Sequence, residues 1–181
     1  MPARLPRMCS IWRPGNAWRS TKDEKEARVM EPKTVLFICS FNSVRSQIAE
    51  GLLNARCPRR YRAFSAGVAP GGLSPYAVLV MREEGIDISS QKSKSLSAFP
   101  SMKFDFVVTM CDHAKLAATG AIPEGTTRIH RDFVSPSEVQ ENKELVFAEF
   151  RALREDIDAW LSDIFPDCPK TGEPGNRETE P

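Results

Sequence analysis

Apolar positions along this chain follow two patterns. Thr34 to Ile38 (Thr-Val-Leu-Phe-Ile) is a short continuous apolar run, which predicts a strand buried on both faces, as inside a parallel sheet. Near the other end, Val146, Phe150, Leu153, Ile157, Trp160/Leu161 and Ile164 recur at helical spacing, predicting a long amphipathic helix with Trp160 in the core. Between them the pattern alternates. Ser46 opens a helix over Gln47 to Ala55, and Tyr61 to Ser65 reads as a second strand, followed by a Gly/Pro-rich turn through Gly72. Ser74-Pro75 is an N-cap followed by proline at the first helical position, and Gly85 closes that helix. Phe104 to Met110 and Thr126 to His130 complete four strands. Strands alternating with helices predict an α/β domain with a doubly wound parallel sheet.

The two ends carry neither period. Residues 1–32 mix Pro, Arg, Lys and Glu with isolated Trp12 and Trp18, and are expected to be a disordered extension. Residues 166–181, rich in Pro, Gly and Glu, are expected to be a disordered tail. That leaves 33–165 as one domain, long enough for a sizeable core.

Composition removes several classes of function. A net charge of +1 supplies no field for nucleic acid or an anionic membrane. No apolar run nears the roughly 20 residues of a membrane span, and an exported leader's apolar stretch is not seen. The five cysteines are odd in number, contain no Cys-x-x-Cys pair, and place two in the polar ends. No disulfide framework is expected, and a reducing cytoplasm fits better. The two histidines, His113 and His130, form no metal-ligand spacing and read as surface or loop residues; no metal is expected. Lys92, Lys94 and Lys103 read as a solvated face.

The candidate chemistry lies after the first strand. Cys39-Ser40-Phe41-Asn42-Ser43-Val44-Arg45-Ser46 sets a cysteine and an arginine around five residues, between a buried strand and a helix. Backbone N–H groups of such a loop converge on one point, and the helix adds its positive end. Arg45 can hold two oxygens of an oxyanion in a bidentate fork. The same field favours a thiolate, which makes Cys39 the candidate nucleophile. Ser46 can donate its hydroxyl to that thiolate, and Asn42 tolerates the left-handed backbone that a tight cradle needs. The loop from Ser40 through Arg45 is the expected oxyanion site, at the carboxyl end of a strand as the crevice rule requires.

The segment Val35 to Gly51, VLFICSFNSVRSQIAEG, resembles the opening of the low-molecular-weight tyrosine phosphatase superfamily, and most closely its thiol-coupled arsenate reductase branch. Ser65-Ala66-Gly67, MREEGIDISSQ from Met81 to Gln91, Ser93-Lys94-x-Leu96, VVTMCD from Val107 to Asp112 and FRALREDI from Phe150 to Ile157 extend the likeness over about residues 33–165. The resemblance implies a four-stranded parallel sheet with flanking helices. It also implies that Cys39 is the nucleophile, that Arg45 binds the oxyanion, and that Ser46 tunes the thiolate.

This chain departs from the family pattern in three places. Phe41 stands where the loop usually has glycine, and either narrows the pocket or is simply exposed; Val44 stands where many members have a second cysteine. Cys111 aligns with the first cysteine of the thioredoxin-coupled relay, but Ala118 stands at the second. Cys111 then either attacks a Cys39–arsenic adduct or is a buried strand-end residue. Finally, the Asp-Pro that supplies the family's general acid is replaced by Ser135-Pro136, which leaves Asp132 as a candidate acid or as a solvated loop residue.

The resemblance implies an arsenate reductase-like enzyme. In it a Cys39 thiolate attacks arsenate, and a second thiol releases arsenite. No cofactor is bound; thioredoxin, glutaredoxin or a low-molecular-weight thiol is the external reductant, so a redox protein is a possible partner. The competing readings are a phosphomonoesterase that hydrolyses phosphotyrosine proteins through a phosphocysteine, and a non-catalytic oxyanion-binding module.

Overall fold

The computed structural model describes residues 31–117, 125–139, 141–166 and 168. Nearly all of the expected N-terminal extension, and the tail beyond Cys168, lie outside these. Four strands, β1 (Lys33–Cys39), β2 (Tyr61–Gly67), β3 (Phe104–Thr109) and β4 (Gly125–His130), form one sheet in the order β2-β1-β3-β4. Every pairing is parallel. The helices are α1 (Arg45–Arg56), α2 (Pro75–Glu83), α3 (Asp112–Ala117) and α4 (Lys143–Ile164). The expected α/β architecture is therefore observed.

The central strand shows why the apolar run was informative. Val35 through Ile38 are wholly buried, because a strand flanked by β2 and β3 and covered by helices meets no water on either face. Chain order matters as much. From β1 the chain passes to β2 on one side, then crosses to β3 on the other. The carboxyl ends of β1 and β3 consequently border the point where the order reverses, the crevice in which open α/β sheets bind ligands.

The helices follow their local signals. Ser74 caps α2, its Oγ accepting from Ala77 N, with Pro75 at the first position; Gly85 has φ +73°, as a helix-closing glycine does. Asn142 caps α4 by accepting from the amides of Glu144 and Leu145. The α4 stripe buries Val146, Phe150, Leu153, Ile157, Trp160 and Leu161. One residue on that buried face is charged. Arg154 is 6 % exposed, donates to the Val80 carbonyl at 2.7 Å and meets Glu83 and Glu84 at 3.3 and 3.0 Å. It ties α4 to the end of α2.

The expectations of a disordered tail from residue 166 and of no disulfide framework both need correction at Cys168. Cys168, assigned to the tail, is buried and forms a disulfide with Cys57, 111 positions away. Phe165 is wholly buried as well, its ring centroid 4.8 Å from that of Tyr61 in a tilted contact and 5.4 Å from that of Phe106 in an edge-to-face one. The fold brings the residue after α1 to the end of α4, so two cysteines that share no local spacing become neighbours. Disulfides across long loops typically contribute about 2–4 kcal/mol. Cys168→Ser is expected to lower unfolding stability by that amount in non-reducing buffer and to leave it unchanged in excess reductant; urea titration under both conditions measures it.

Candidate active site

The cradle is built by turning carbonyl groups outward. The Cys39 carbonyl accepts from Val68 N at 3.3 Å, Ser40 from Ala69 N at 2.9 Å, Phe41 from Gly71 N at 2.9 Å, Ser43 from Ser74 N at 3.1 Å and Val44 from Ile48 N at 2.9 Å. The Asn42 carbonyl accepts from Gln47 Nε2 at 3.0 Å. All peptide bonds among the described residues are trans, so each N–H there points opposite to the carbonyl before it. The amides of residues 40–45 therefore face the inside of the loop. One of them, Asn42 N–H, reaches Cys39 Sγ at 3.2 Å.

Asn42 is the keystone. Its φ is +49°, the left-handed conformation expected of it, and its side chain is fully buried. Oδ1 accepts from Lys94 N at 2.7 Å and from Gln47 Nε2 at 3.1 Å, which fixes the amide orientation. Nδ2 must then donate to Ser46 Oγ, 2.9 Å away. With that lone pair occupied, the Ser46 hydroxyl proton is free to point at Cys39 Sγ at 3.0 Å. Cys39 Sγ thus receives a hydroxyl and an amide, both of which favour the anionic sulfur. Arg45, half-buried at the start of α1, donates from Nη1 to the Phe133 carbonyl at 3.0 Å, which fixes its guanidinium beside the loop after β4.

Gly67 is a part of the site that the local motif did not single out. It pairs with Cys39 in the sheet, and a Cβ there would lie 2.8 Å from Asn42 N and 2.9 Å from the Phe41 carbonyl carbon. Only glycine lets β2 pass this close to the cradle. Gly67→Ala should push the loop out of shape, costing about 1–3 kcal/mol as overpacking does. It should also weaken anion binding, read as reduced protection of Cys39 from alkylation by phosphate.

The other candidates fall as follows. Phe41 is 57 % exposed and lies over Gly71, where an added Cβ would be 3.5 Å from Phe41 Cβ; it stands on the rim. Val44 is buried. Asp132 and Ser135 are exposed on the loop whose Phe133 carbonyl receives Arg45. Ala118 lies outside the described residues. Cys111 is buried two residues beyond the end of β3 at Thr109, and its Sγ lies 3.3 Å from Ser40 Oγ. β1 and β3 pair directly, with Ile38 opposite Thr109, so the residues that follow the two strands leave the sheet at the same end.

Both histidines belong to networks that a reading of them as bland surface residues missed. His130 joins Thr109 Oγ1 at 2.8 Å and Asp112 Oδ1 at 3.1 Å. His113 Nδ1 lies 3.2 Å from the same Ser40 Oγ that meets Cys111. No group of three metal-ligating side chains occurs among the described residues, nor does a helix there have the length and apolarity to cross a membrane.

A buried β1 ending in a cysteine cradle, an arginine opening the next helix and an all-parallel sheet define the class. The pattern of the low molecular weight phosphotyrosine protein phosphatases matches residues 34–171, and the chain belongs to that family. Among curated relatives, an arsenate reductase of Halalkalibacterium halodurans is 38 % identical over 128 residues, covering 71 % of this chain and 91 % of the relative. An arsenate reductase of Bacillus subtilis is 38 % identical over 130 residues, with the same coverage. Among solved structures, a low molecular weight protein tyrosine phosphatase from T. tengcongensis superposes with a TM-score of 0.61 at 25 % identity, covering 74 % of this chain and 98 % of that one.

Proposed function

We propose that this chain is an enzyme of the arsenate reductase type, in which Cys39 and Cys111 supply the two electrons that convert arsenate to arsenite. The observation that carries the reading is the placement of Cys111, a buried thiol in contact with the Ser40 hydroxyl of the cradle. A phosphatase cycle completed by water has no use for a thiol there.

Arsenate enters the cradle with its oxygens on the inward amides and Arg45. Cys39 Sγ attacks arsenic, forming an S–As bond while one oxygen leaves as water after taking up a proton. Asp132 is the acid we assign to that proton. It sits next to Phe133, whose carbonyl holds Arg45, whereas the Ser135 hydroxyl is too weak an acid near neutral pH. Cys111 then attacks Cys39 Sγ. An S–S bond forms, the S–As bond breaks with its electron pair kept on arsenic, and arsenite leaves as As(III). Two thiols are oxidised and one arsenate is reduced. A thioredoxin, a glutaredoxin or a low-molecular-weight thiol in the cytoplasm returns the disulfide to two thiols.

Purified protein assayed with arsenate and each reductant class, beside p-nitrophenyl phosphate, tests this. Arsenate-dependent oxidation of the reductant well above ester hydrolysis is expected; efficient hydrolysis without arsenate reduction would make the protein a phosphatase.

A further inference from the structure

We propose that His113 accepts the Cys111 proton through the Ser40 hydroxyl, so that Cys111, Ser40 and His113 form a relay that turns Cys111 into an attacking thiolate. The inference rests on the reductase reading above and adds to it the group that activates the second thiol.

Three contacts carry it. Ser40 Oγ lies 3.3 Å from Cys111 Sγ and 3.2 Å from His113 Nδ1. A hydroxyl has one proton to give and lone pairs to receive. With Ser40 donating to His113, its oxygen can take the Cys111 S–H. Cys111 and Ser40 are both buried, so neither proton has a direct route to water, whereas His113 is exposed. Its ring is therefore the outlet. The third contact is Ala114 N–H, which donates to Cys111 Sγ at 3.4 Å and supports negative charge on the sulfur once the proton has gone. The carboxylate nearest in sequence, Asp112, is engaged by His130, which leaves imidazole as the terminal base at Ser40.

The step balances simply. The S–H bond of Cys111 breaks as the proton moves to Ser40 Oγ, while the former Ser40 proton moves to His113 Nδ1. Cys111 Sγ⁻ attacks Cys39 Sγ, and the imidazolium releases its proton to solvent. His113 touches neither the substrate nor a reacting sulfur; it acts through Ser40, as a positioning and proton-accepting group.

The test is single-turnover arsenite release from reduced full-length protein at fixed pH, without external thiol. His113→Gln can still receive a hydrogen bond from Ser40 but is no base, and His113→Ala opens space for added imidazole. Both are expected to slow release by about 10²–10⁴-fold, the usual weight of positioned proton transfer. Imidazole should restore His113→Ala in proportion to its concentration and should not restore Ser40→Ala, in which the bridge is gone. Methylthiolation of Cys111 by methyl methanethiosulfonate, followed by peptide mass spectrometry, reads the same activation without arsenate and should show the same losses and the same rescue. A wild type that releases no arsenite would end the reductase reading, while the methylthiolation arm still decides the relay. Wild-type rates in His113→Gln, or a slow His113→Ala that imidazole does not restore in either arm, would overturn the relay.

Discussion

Arg45→Lys should weaken phosphate and arsenate binding by about 10- to 100-fold, although charge is conserved. A guanidinium meets two oxygens in one plane, and lysine offers a point charge on a flexible stem. Hydrogen bonds to charged groups contribute about 1.5–3 kcal/mol, which is one to two orders of magnitude in affinity at 1.4 kcal/mol per tenfold. Lysine also lacks the nitrogen that Arg45 places on the Phe133 carbonyl at 3.0 Å, so the cation loses its anchor as well as its fork. The measurement is protection of Cys39 from alkylation as phosphate or arsenate is titrated in. Equal half-protecting concentrations in the two proteins would show that the anion binds elsewhere.

Cys111→Ser should bring arsenate reduction with a protein thiol down to background and leave any p-nitrophenyl phosphate hydrolysis as it was. Breaking the S–As bond reductively requires a thiolate that attacks Cys39 Sγ, and a serine hydroxyl does not attack sulfur under these conditions. The hydrolytic half of the family's chemistry uses the cradle, a general acid and water, and needs no second thiol. Folding should survive the change, because serine keeps a partner in Ser40 Oγ. Initial rates of both reactions in the same preparation check it. Undiminished reduction by Cys111→Ser with a small thiol would make Cys111 structural, and Cys39 would work with an external thiol alone.

What the sequence disclosed was whatever is written over a short stretch. Cys39, Asn42, Arg45 and Ser46 lie within eight consecutive residues, and Cys39, Asn42 and Ser46 contact one another directly. The Ser74 cap and the α4 stripe are local in the same sense. The missed features join distant segments. Ser40 was read only for its backbone, but its hydroxyl meets partners 71 and 73 positions away. Gly67 matters because β2 passes the cradle, a consequence of sheet register. Cys57 and Cys168 meet only once α1 and α4 have packed. Helix α3, six residues long, is too short to show a period. Arg154 broke the apolar rule on α4 because its charge is answered from α2.

In the proposed cycle Cys39 and Cys111 together reduce one arsenate. The most direct test gives fully reduced protein a slight excess of arsenate under anaerobic conditions with no other thiol, then quantifies arsenite and maps cysteine linkages by peptide mass spectrometry. Mapping matters because Cys57 and Cys168 would also be thiols after reduction, and their re-pairing must be told apart from the active-site link. Close to one arsenite per chain and a new Cys39–Cys111 disulfide in matching yield are expected, both absent in Cys39→Ser. Arsenite formed without that linkage, or no arsenite at all while the cradle still binds arsenate, would overturn the two-thiol cycle.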